Sequence, residues 1–396
     1  MVQDPSTSIP PIVAEAMGLA NAVRASRAEA EERRQTPPAL AAKITAAGLY
    51  QMYLPRSMGG PELDPLTVFR AVEEISKADG SVGWNIMIAN AMALNIARLP
   101  VEVGRELAGT PADYRAAGSA RPGGHSAGRV WEVPGGYRLS GQWNFASGIY
   151  NARWLYCTAV VMDGDTPRLN AAGKPILRAL WVPREEVAIV DTWAVMGMRG
   201  TGSQDFSVQD VFVPERRSVL SDDRMVESTP LFNHRARFVF LWTPSAANAL
   251  GIARGAIDAL AEIAMTSAST LNTALLRDRP TVQAHIGEAD AIVGAARAYV
   301  FDAVGRVWSS VCAGAEPTDQ EVAQARLAIT HAMHESVRAV DKVFHTAGTN
   351  AIYTSLPLEA AFRDIHVAIQ HGAALPSYFQ SAGKVRLGLR PDDPGW

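Results

Sequence analysis

Apolar positions recur with helical spacing from residue 12 to about 107, alternate with a period of two from about 112 to 219, and return to helical spacing from about 230 onward. In the first zone an amphipathic stretch runs through Val23 and Arg34, breaks at Pro37-Pro38 and resumes over residues 39–49. The Gly/Pro-dense segment Leu54-Pro55-Arg56-Ser57-Met58-Gly59-Gly60-Pro61 predicts a loop. Asp64-Pro65 then supplies an N-cap with proline at the first helical position. The helix opening at Ser81 is apolar nearly all round, which predicts a central, buried position.

The middle zone holds short alternating runs at 129–133, 137–141, 153–162, 176–182, 187–190 and 205–213, separated by Gly, Pro and Asp turns. Strands spaced this way without intervening helices predict a small barrel or sandwich. The last zone predicts four long helices, 238–266, 281–311, 319–347 and 357–374, whose short connections suit an antiparallel bundle. The expected architecture is therefore multidomain, α and β: an N-terminal helical domain over 1–111, a central β-barrel over 112–228 and a C-terminal four-helix bundle over 229–396. No internal repeat interrupts this order.

Composition narrows the function classes. The 396 residues are 48% hydrophobic and 19% charged with a net charge of -3, a globular balance with no basic field for nucleic acid. The longest uncharged runs, 81–97 and 238–253, fall short of a bilayer span and carry Asn85, Asn90, Asn95, Pro244 and Asn248, so buried helices are expected, not membrane spans. Residues 1–11 lack the basic-then-apolar pattern of a secretion signal. Cys157 and Cys312 sit in apolar surroundings and read as buried reduced thiols of a cytoplasmic protein.

The chemistry is expected at Gly141-Gln142-Trp143-Asn144-Phe145-Ala146-Ser147-Gly148-Ile149-Tyr150, a strand running into a glycine-lined corner after the hairpin signal Pro134-Gly135-Gly136. Trp143 and Phe145, two apart, should share one strand face, and Ser147 with Gly148 should edge a flat ligand such as a flavin. The same residues also suit an aromatic pair in a sheet core with Ser147 in the turn. His331 and His334 share a helix face beside Glu335 but lack the further ligands of a zinc site, so no metal is expected. Gly197-Met198-Arg199-Gly200-Thr201-Gly202 is glycine-rich, yet strands follow it and the dinucleotide-binding spacing fails.

Four ordered stretches carry a resemblance: Leu54-Pro55 through Gly59-Gly60; Gly141 to Gly148; Trp193 through Gly197-Met198-Arg199-Gly200-Thr201-Gly202-Ser203 to Asp210-Val211-Phe212-Val213-Pro214; and Arg363-Asp364. Together with the helical, β, helical order they resemble the acyl-CoA dehydrogenase fold over nearly the whole chain. The dehydrogenases take an α-proton with a carboxylate on the first or last bundle helix. Residues 365–379 and 237–257 contain no Asp or Glu, although Asp258 follows directly and keeps an FAD-dependent dehydrogenase as the alternative.

Asn144 to Gly148 together with Arg363-Asp364-Ile365-His366-Val367-Ala368-Ile369-Gln370-His371 resembles instead the group D, two-component flavin-dependent monooxygenases of the same fold. That resemblance implies a reduced flavin, FMN or FAD, delivered by a separate NAD(P)H flavin reductase. It reacts with O2 through a C4a-hydroperoxide to hydroxylate a small aromatic or heteroatom-containing substrate. It further implies Ser147 near flavin N5 and His371 facing the pocket, on a helix continuous from Arg363 that turns His366 to another side. Trp143, Phe145, Gly148, Thr201 and Ser203 would flank the flavin. Arg277, Gly348 and Thr349 would reach the flavin of a neighbouring subunit in a homotetramer. The histidine that many members carry after Gly83-Trp84, near 90–92, is missing here, and a second one beyond His371 is replaced by Ala374.

Overall fold

The computed structural model describes residues 9–110, 113–119, 128–221, 225–268 and 274–391. The amino-terminal stretch read as no secretion signal lies, through residue 8, outside the described residues. Six helices come first: α1 (Pro11–Ala25), α2 (Arg27–Arg33), α3 (Pro38–Ala46), α4 (Pro65–Ala78), α5 (Gly80–Ile96) and α6 (Val101–Ala108). Nine strands follow: β1 (Ala116–Ser119), β2 (Gly128–Val133), β3 (Gly136–Ala146), β4 (Trp154–Asp163), β5 (Thr166–Pro167), β6 (Leu177–Pro183), β7 (Ala188–Val190), β8 (Gln204–Pro214) and β9 (Ser218–Leu220). The chain closes with α7 (Arg237–Thr266), α8 (Pro280–Cys312), α9 (Asp319–Ala347), α10 (Pro357–Ala368) and α11 (Ser377–Arg386). Among the described residues no helix is long and apolar enough to cross a membrane.

The β region, expected as a small barrel or sandwich, forms one mixed sheet in the order β7-β8-β3-β2-β4-β6-β9, with β1 and β5 pairing on β4. Its own core holds Trp143 stacked on Phe206 at 5.1 Å. Tyr156 and Trp181, opposite each other on β4 and β6, join instead the larger core of the helical regions.

Helix α5 is the axis of that larger core. Asp79 caps it by accepting the Val82 N–H, and fourteen of its 17 residues are buried. Buried Asn90 is fully employed: its carbonyl accepts the Tyr53 N–H and its amide donates to Leu49 and Ile86 carbonyls. Close approach to α4 depends on Gly83, where a Cβ would come within 1.9 Å of the Ser76 hydroxyl. The proline inside α7 is compensated. Pro244 has no N–H for the Phe240 carbonyl four residues back, and the buried Tyr53 hydroxyl donates there at 3.3 Å.

Two expectations change. Cys157 is buried, and burial pushes its thiol up, but Cys312 is exposed because it is the last residue of α8, where the helix reaches the surface. The final helix is not continuous over 357–374. It stops at Ala368, and His371 adopts an extended backbone (φ -69°, ψ 150°) before a short turn at 372–374. Gly372 and Pro376 make continuation unfavourable.

Candidate active site

Three regions of the chain meet around Trp84 and Ser147. The strand β3 delivers it through an irregularity: between Trp143 and Ala146 the ladder to β8 shifts register, and Phe145 takes a left-handed φ of 62°. That conformation costs a non-glycine residue on the order of 1 kcal/mol. Its effect is to break the alternation. Trp143 is wholly buried, its indole N–H donating to the Thr158 carbonyl at 2.7 Å, whereas Phe145 is 49% exposed and stands edge-on to Trp193 at 6.1 Å. The expectation that the two share a ligand-facing side is therefore corrected: the extra residue of the bulge rotates Phe145 outward and leaves Trp143 in the sheet core.

Ser147 is buried and joins a chain of hydroxyls. Trp84 of α5 donates its indole N–H to Ser147 Oγ at 3.2 Å, Ser147 Oγ lies 2.7 Å from Ser203 Oγ, and Ser203 Oγ lies 2.7 Å from Thr201 Oγ1. Thr201 Oγ1 donates to the Met198 carbonyl at 2.8 Å. Both ends of the chain fix its direction. An indole N–H can only donate and a carbonyl can only accept, so Ser203 donates to Thr201 and Ser147 donates to Ser203. Ser147 Oγ is left with an unused lone pair and no free hydrogen. Gly148, at φ 79°, follows immediately and gives its N–H to the Thr201 carbonyl at 2.8 Å.

The C-terminal region contributes His371, whose ring stands edge-on to Trp84 with centroids 5.1 Å apart. Its Nδ1 accepts the Ala373 N–H at 3.2 Å, which places the ring proton on Nε2. Desolvation lowers its pKa to about 4, so the imidazole is neutral at pH 7. The turn carrying it is clamped from α9: Thr330 donates to the Ala373 carbonyl at 2.9 Å, and His334 Nε2 bonds the Ala374 carbonyl at 3.0 Å. His334, weighed at first as a metal ligand, thus holds the turn of His371. His366 points elsewhere, to Asp341 at 3.0 Å.

Arg363 and Asp364 lock α10 onto the loop that bears Thr201 and Ser203. Arg363 bonds Glu359, Glu31 and the Met196 carbonyl, while buried Asp364 accepts the Met198 N–H. Desolvation first, and then the neighbouring Asp79 carboxylate, raise Asp364 to about 7. Sequence reasoning gave neither Trp84 nor Asp364 a role at the site. Trp84 lies in a helix with no polar face, and the Asp364 partner is 166 residues away. The other expected cofactor residues do not converge on Ser147 within this chain. Arg277 pairs with Asp278 at 3.7 Å, and Gly348 and Thr349 are exposed at the end of α9.

A flat, heteroatom-edged ring fits these residues: an exposed Phe145, a half-buried Trp84, a glycine corner and one lone pair on Ser147. Comparison with known proteins gives the family. The model for the acyl-CoA dehydrogenase N-terminal domain matches residues 14–102, and that for the acyl-CoA dehydrogenase C-terminal domain matches residues 244–376. An indole-3-acetate monooxygenase from Pseudomonas putida is 30% identical over 369 residues, covering 93% of this chain and 91% of that protein. The oxygenase subunit HsaA of a flavin-dependent monooxygenase from Rhodococcus jostii is 30% identical over 361 residues, covering 88% and 90%. Among solved structures, XiaF from Streptomyces sp. in complex with FADH2 and glycerol superposes with a TM-score of 0.87 at 25% identity, covering 97% of this chain and 96% of that one. The HsaA monooxygenase from M. tuberculosis superposes with a TM-score of 0.85 at 26% identity, covering 98% and 99%. With relatives matched at this identity over almost their full length, the chain belongs to the flavin-dependent monooxygenases built on the acyl-CoA dehydrogenase fold.

Proposed function

We propose that this protein is the oxygenase component of a two-component system, hydroxylating a small aromatic or heteroatom-containing substrate with reduced flavin from a separate reductase. The observation that carries the reading is the fixed direction of the Trp84–Ser147–Ser203–Thr201 chain. A reduced flavin bears a hydrogen on N5 and an oxidised one a lone pair, and Ser147 offers an acceptor. The site is therefore matched to the reduced form. When bound, reduced flavin supplies the two electrons with which one atom of O2 enters the substrate and the other leaves as water. His371, neutral with its hydrogen on Nε2, serves as a donor to negative charge developing on oxygen. Its Nδ1 is occupied by Ala373, so it does not act as a base from that atom.

The dehydrogenase alternative loses its candidate base. Asp258 is a surface partner of Lys77 at 2.7 Å, and among the described residues no Asp or Glu hydrogen-bonds Ser147, Trp84 or His371. Asp364, although poised near neutrality, is committed to the Met198 N–H. The assembly we propose is a homotetramer, in which a second copy brings Arg277, Gly348 and Thr349 to the flavin. Exposed Ile352, Tyr353 and Phe379 supply apolar surface for such contacts. Sedimentation as a monomer that still holds flavin tightly would sink that assembly.

The test of the activity is to supply photoreduced FMN or FAD anaerobically, admit 18O2, and assay indole-3-acetate and resorcinol, on which relatives act by name. One 18O per product and no turnover with NADH alone are expected. Bleaching of bound oxidised flavin by an acyl-CoA, with no oxygen incorporated, would favour the dehydrogenase instead.

A further inference from the structure

The acceptor end of the hydroxyl relay is a single peptide carbonyl, that of Met198. Three donors converge on it: Thr201 Oγ1 at 2.8 Å, the Trp193 indole N–H at 3.1 Å and the Thr201 backbone N–H at 3.2 Å. Where that carbonyl points depends on Met198 itself, a buried residue held in the left-handed region (φ 55°, ψ 30°). The conformation is disfavoured for any residue with a Cβ, and a turn of Met198 into the ordinary regions would carry its carbonyl away from Thr201 and Trp193.

Asp364 opposes that turn. Its Oδ1 accepts the Met198 N–H, so it fixes the peptide plane that precedes the carbonyl. The backbone of α10 reinforces the contact: a Cβ at Gly197 would lie 2.3 Å from the Arg363 carbonyl oxygen, and the Arg363 side chain donates to the Met196 carbonyl. Asp364 Oδ2 faces the first residue of α5, where a Cβ on Gly80 would come within 3.3 Å of it. Gly80 stands about one helical turn before Trp84, the donor end of the relay. One buried carboxyl thus touches the two elements that carry the two ends of the relay. The charged groups facing it are Asp79 at the start of α5, Arg27 of α2 and Arg363 beside it, while α7 presents the apolar Ile252 at Gly80. Burial, and then Asp79, raise Asp364 to about 7 against the Met198 N–H and the two arginines, so its charge changes near neutral pH.

We propose that Asp364 is a positioning residue for the flavin: through the Met198 peptide it sets the direction of the hydroxyl relay, and with it the preference of Ser147 for reduced over oxidised flavin. The inference rests on the reading of Ser147 as an acceptor matched to the reduced form, and adds what maintains that match. Ionised, Asp364 accepts the Met198 N–H in a charge-assisted bond, roughly twice as strong as one to a neutral acceptor. Protonated, it holds Met198 less firmly, the carbonyl is freer to turn, and Ser203 and Ser147 can reverse their hydrogens. Discrimination between the two flavin states is therefore greater above pH 7 than below it.

The test is anaerobic titration of the full-length protein with oxidised and with photoreduced flavin, in the parent, Asp364→Asn and Asp364→Ala, from about pH 5.5 to about 8.5 so that the carboxyl is crossed from both sides. Reduced flavin itself ionises near neutrality in every variant, so the quantity read is the reduced-to-oxidised affinity ratio relative to that of Asp364→Asn at the same pH. Asp364→Asn keeps an acceptor for the Met198 N–H at constant charge, and should match the parent at the acid end. Toward the alkaline end the parent should draw ahead by about three- to fivefold, as a neutral acceptor becomes a charged one. In Asp364→Ala the acceptor is gone, and the ratio should fall on the order of tenfold below the parent at alkaline pH. An Asp364 that only braces the fold would weaken both flavin forms together and leave the ratio unmoved. The parent and Asp364→Asn decide between these by themselves, which covers the case in which Asp364→Ala fails to fold. A parent ratio that runs parallel to that of Asp364→Asn over the whole range, or one equal in all three proteins, would overturn the assignment and leave the oxygenase reading standing. A parent that holds oxidised flavin as tightly as reduced flavin at every pH would remove the reading of Ser147 along with it.

Discussion

The two ends of α5 treat buried polar groups in opposite ways. Around Trp84, each donor of the relay has an acceptor, and the chain of bonds from indole to hydroxyls to carbonyl has a single direction. Around Arg98, Nη2 donates to the Leu220 carbonyl, but Nε and Nη1 are buried without a partner among the described residues. A satisfied network positions: it presents one chosen atom, the free lone pair of Ser147, to whatever binds beside it. Unsatisfied donors cost: each buried one gives up the hydrogen bond that it makes to water in the unfolded chain. The helix that joins them needs no polar face toward solvent: Asn90 and Asn95 donate to nearby carbonyls and Asn85 donates to the Thr36 hydroxyl, although Asn85 Oδ1 has no partner among the described residues.

The largest break in this comparison should come from His371, a titratable ring in contact with Trp84. His371→Ala should leave folding and flavin binding in place while oxygen transfer to substrate falls by roughly 10²- to 10⁴-fold, the range for a positioned acid or base. Peroxide released per flavin oxidised should rise in step. His366→Ala, at a ring bonded to Asp341 on the other side of α10, should change turnover little. Equal small losses in both would leave His371 a structural residue.

The different visibility of these residues in the sequence has physical causes. Zones of period 3.6 and 2 were plain because they report burial, and Asp64-Pro65 marked a helix start that the structure keeps, with Asp64 accepting from Leu66 and Thr67. His371 stood out through its motif, but its helix did not: Gly372 ends it locally, and the clamp from Thr330 and His334 is tertiary. Trp143 and Phe145 misled because alternation assumes an unbroken ladder, and a one-residue bulge reverses it. Arg98 carried no signal at all. A single arginine after a helix reads as solvated, and only packing shows that it is buried.

A second, intermediate effect concerns pH. His371 is depressed to about 4 from 6.5, so between those values the unfolded chain binds a proton that the folded one refuses, and its burial makes stability fall as pH drops through this window. Asp364 is raised to about 7 from 3.8, so the folded chain keeps a proton that the unfolded one has lost, and its burial makes stability fall as pH rises through this window. Between about 4 and 6.5 the two slopes oppose each other, each at most about 1.4 kcal/mol per pH unit. Removing one should reveal the other. Urea midpoints should decline from pH 4 to 6.5 in His371→Ala, and climb over the same range in Asp364→Asn, relative to the parent. Parallel profiles in all three proteins would mean that neither group titrates as its burial demands.

The smallest effect tests the relay itself. Thr201→Val keeps the shape of the side chain and removes the hydroxyl that accepts from Ser203. Ser203 then has no fixed acceptor, so it can turn its hydrogen back toward Ser147, and Ser147 in turn can point its own hydrogen outward. One hydrogen bond of this kind is worth about 1 kcal/mol, so the preference for reduced over oxidised flavin should narrow by roughly fivefold. The gain should be in affinity for the oxidised form, whose N5 lone pair now meets a donor. Ser147→Ala removes the acceptor altogether and should weaken the reduced form instead, by on the order of 1 to 3 kcal/mol in a buried site. Anaerobic titration of each variant with oxidised and photoreduced flavin separates the two patterns. If Thr201→Val leaves the ratio of the two affinities where it was, then the direction of the hydroxyl chain does not govern which flavin the site accepts, and Ser147 acts by its position alone.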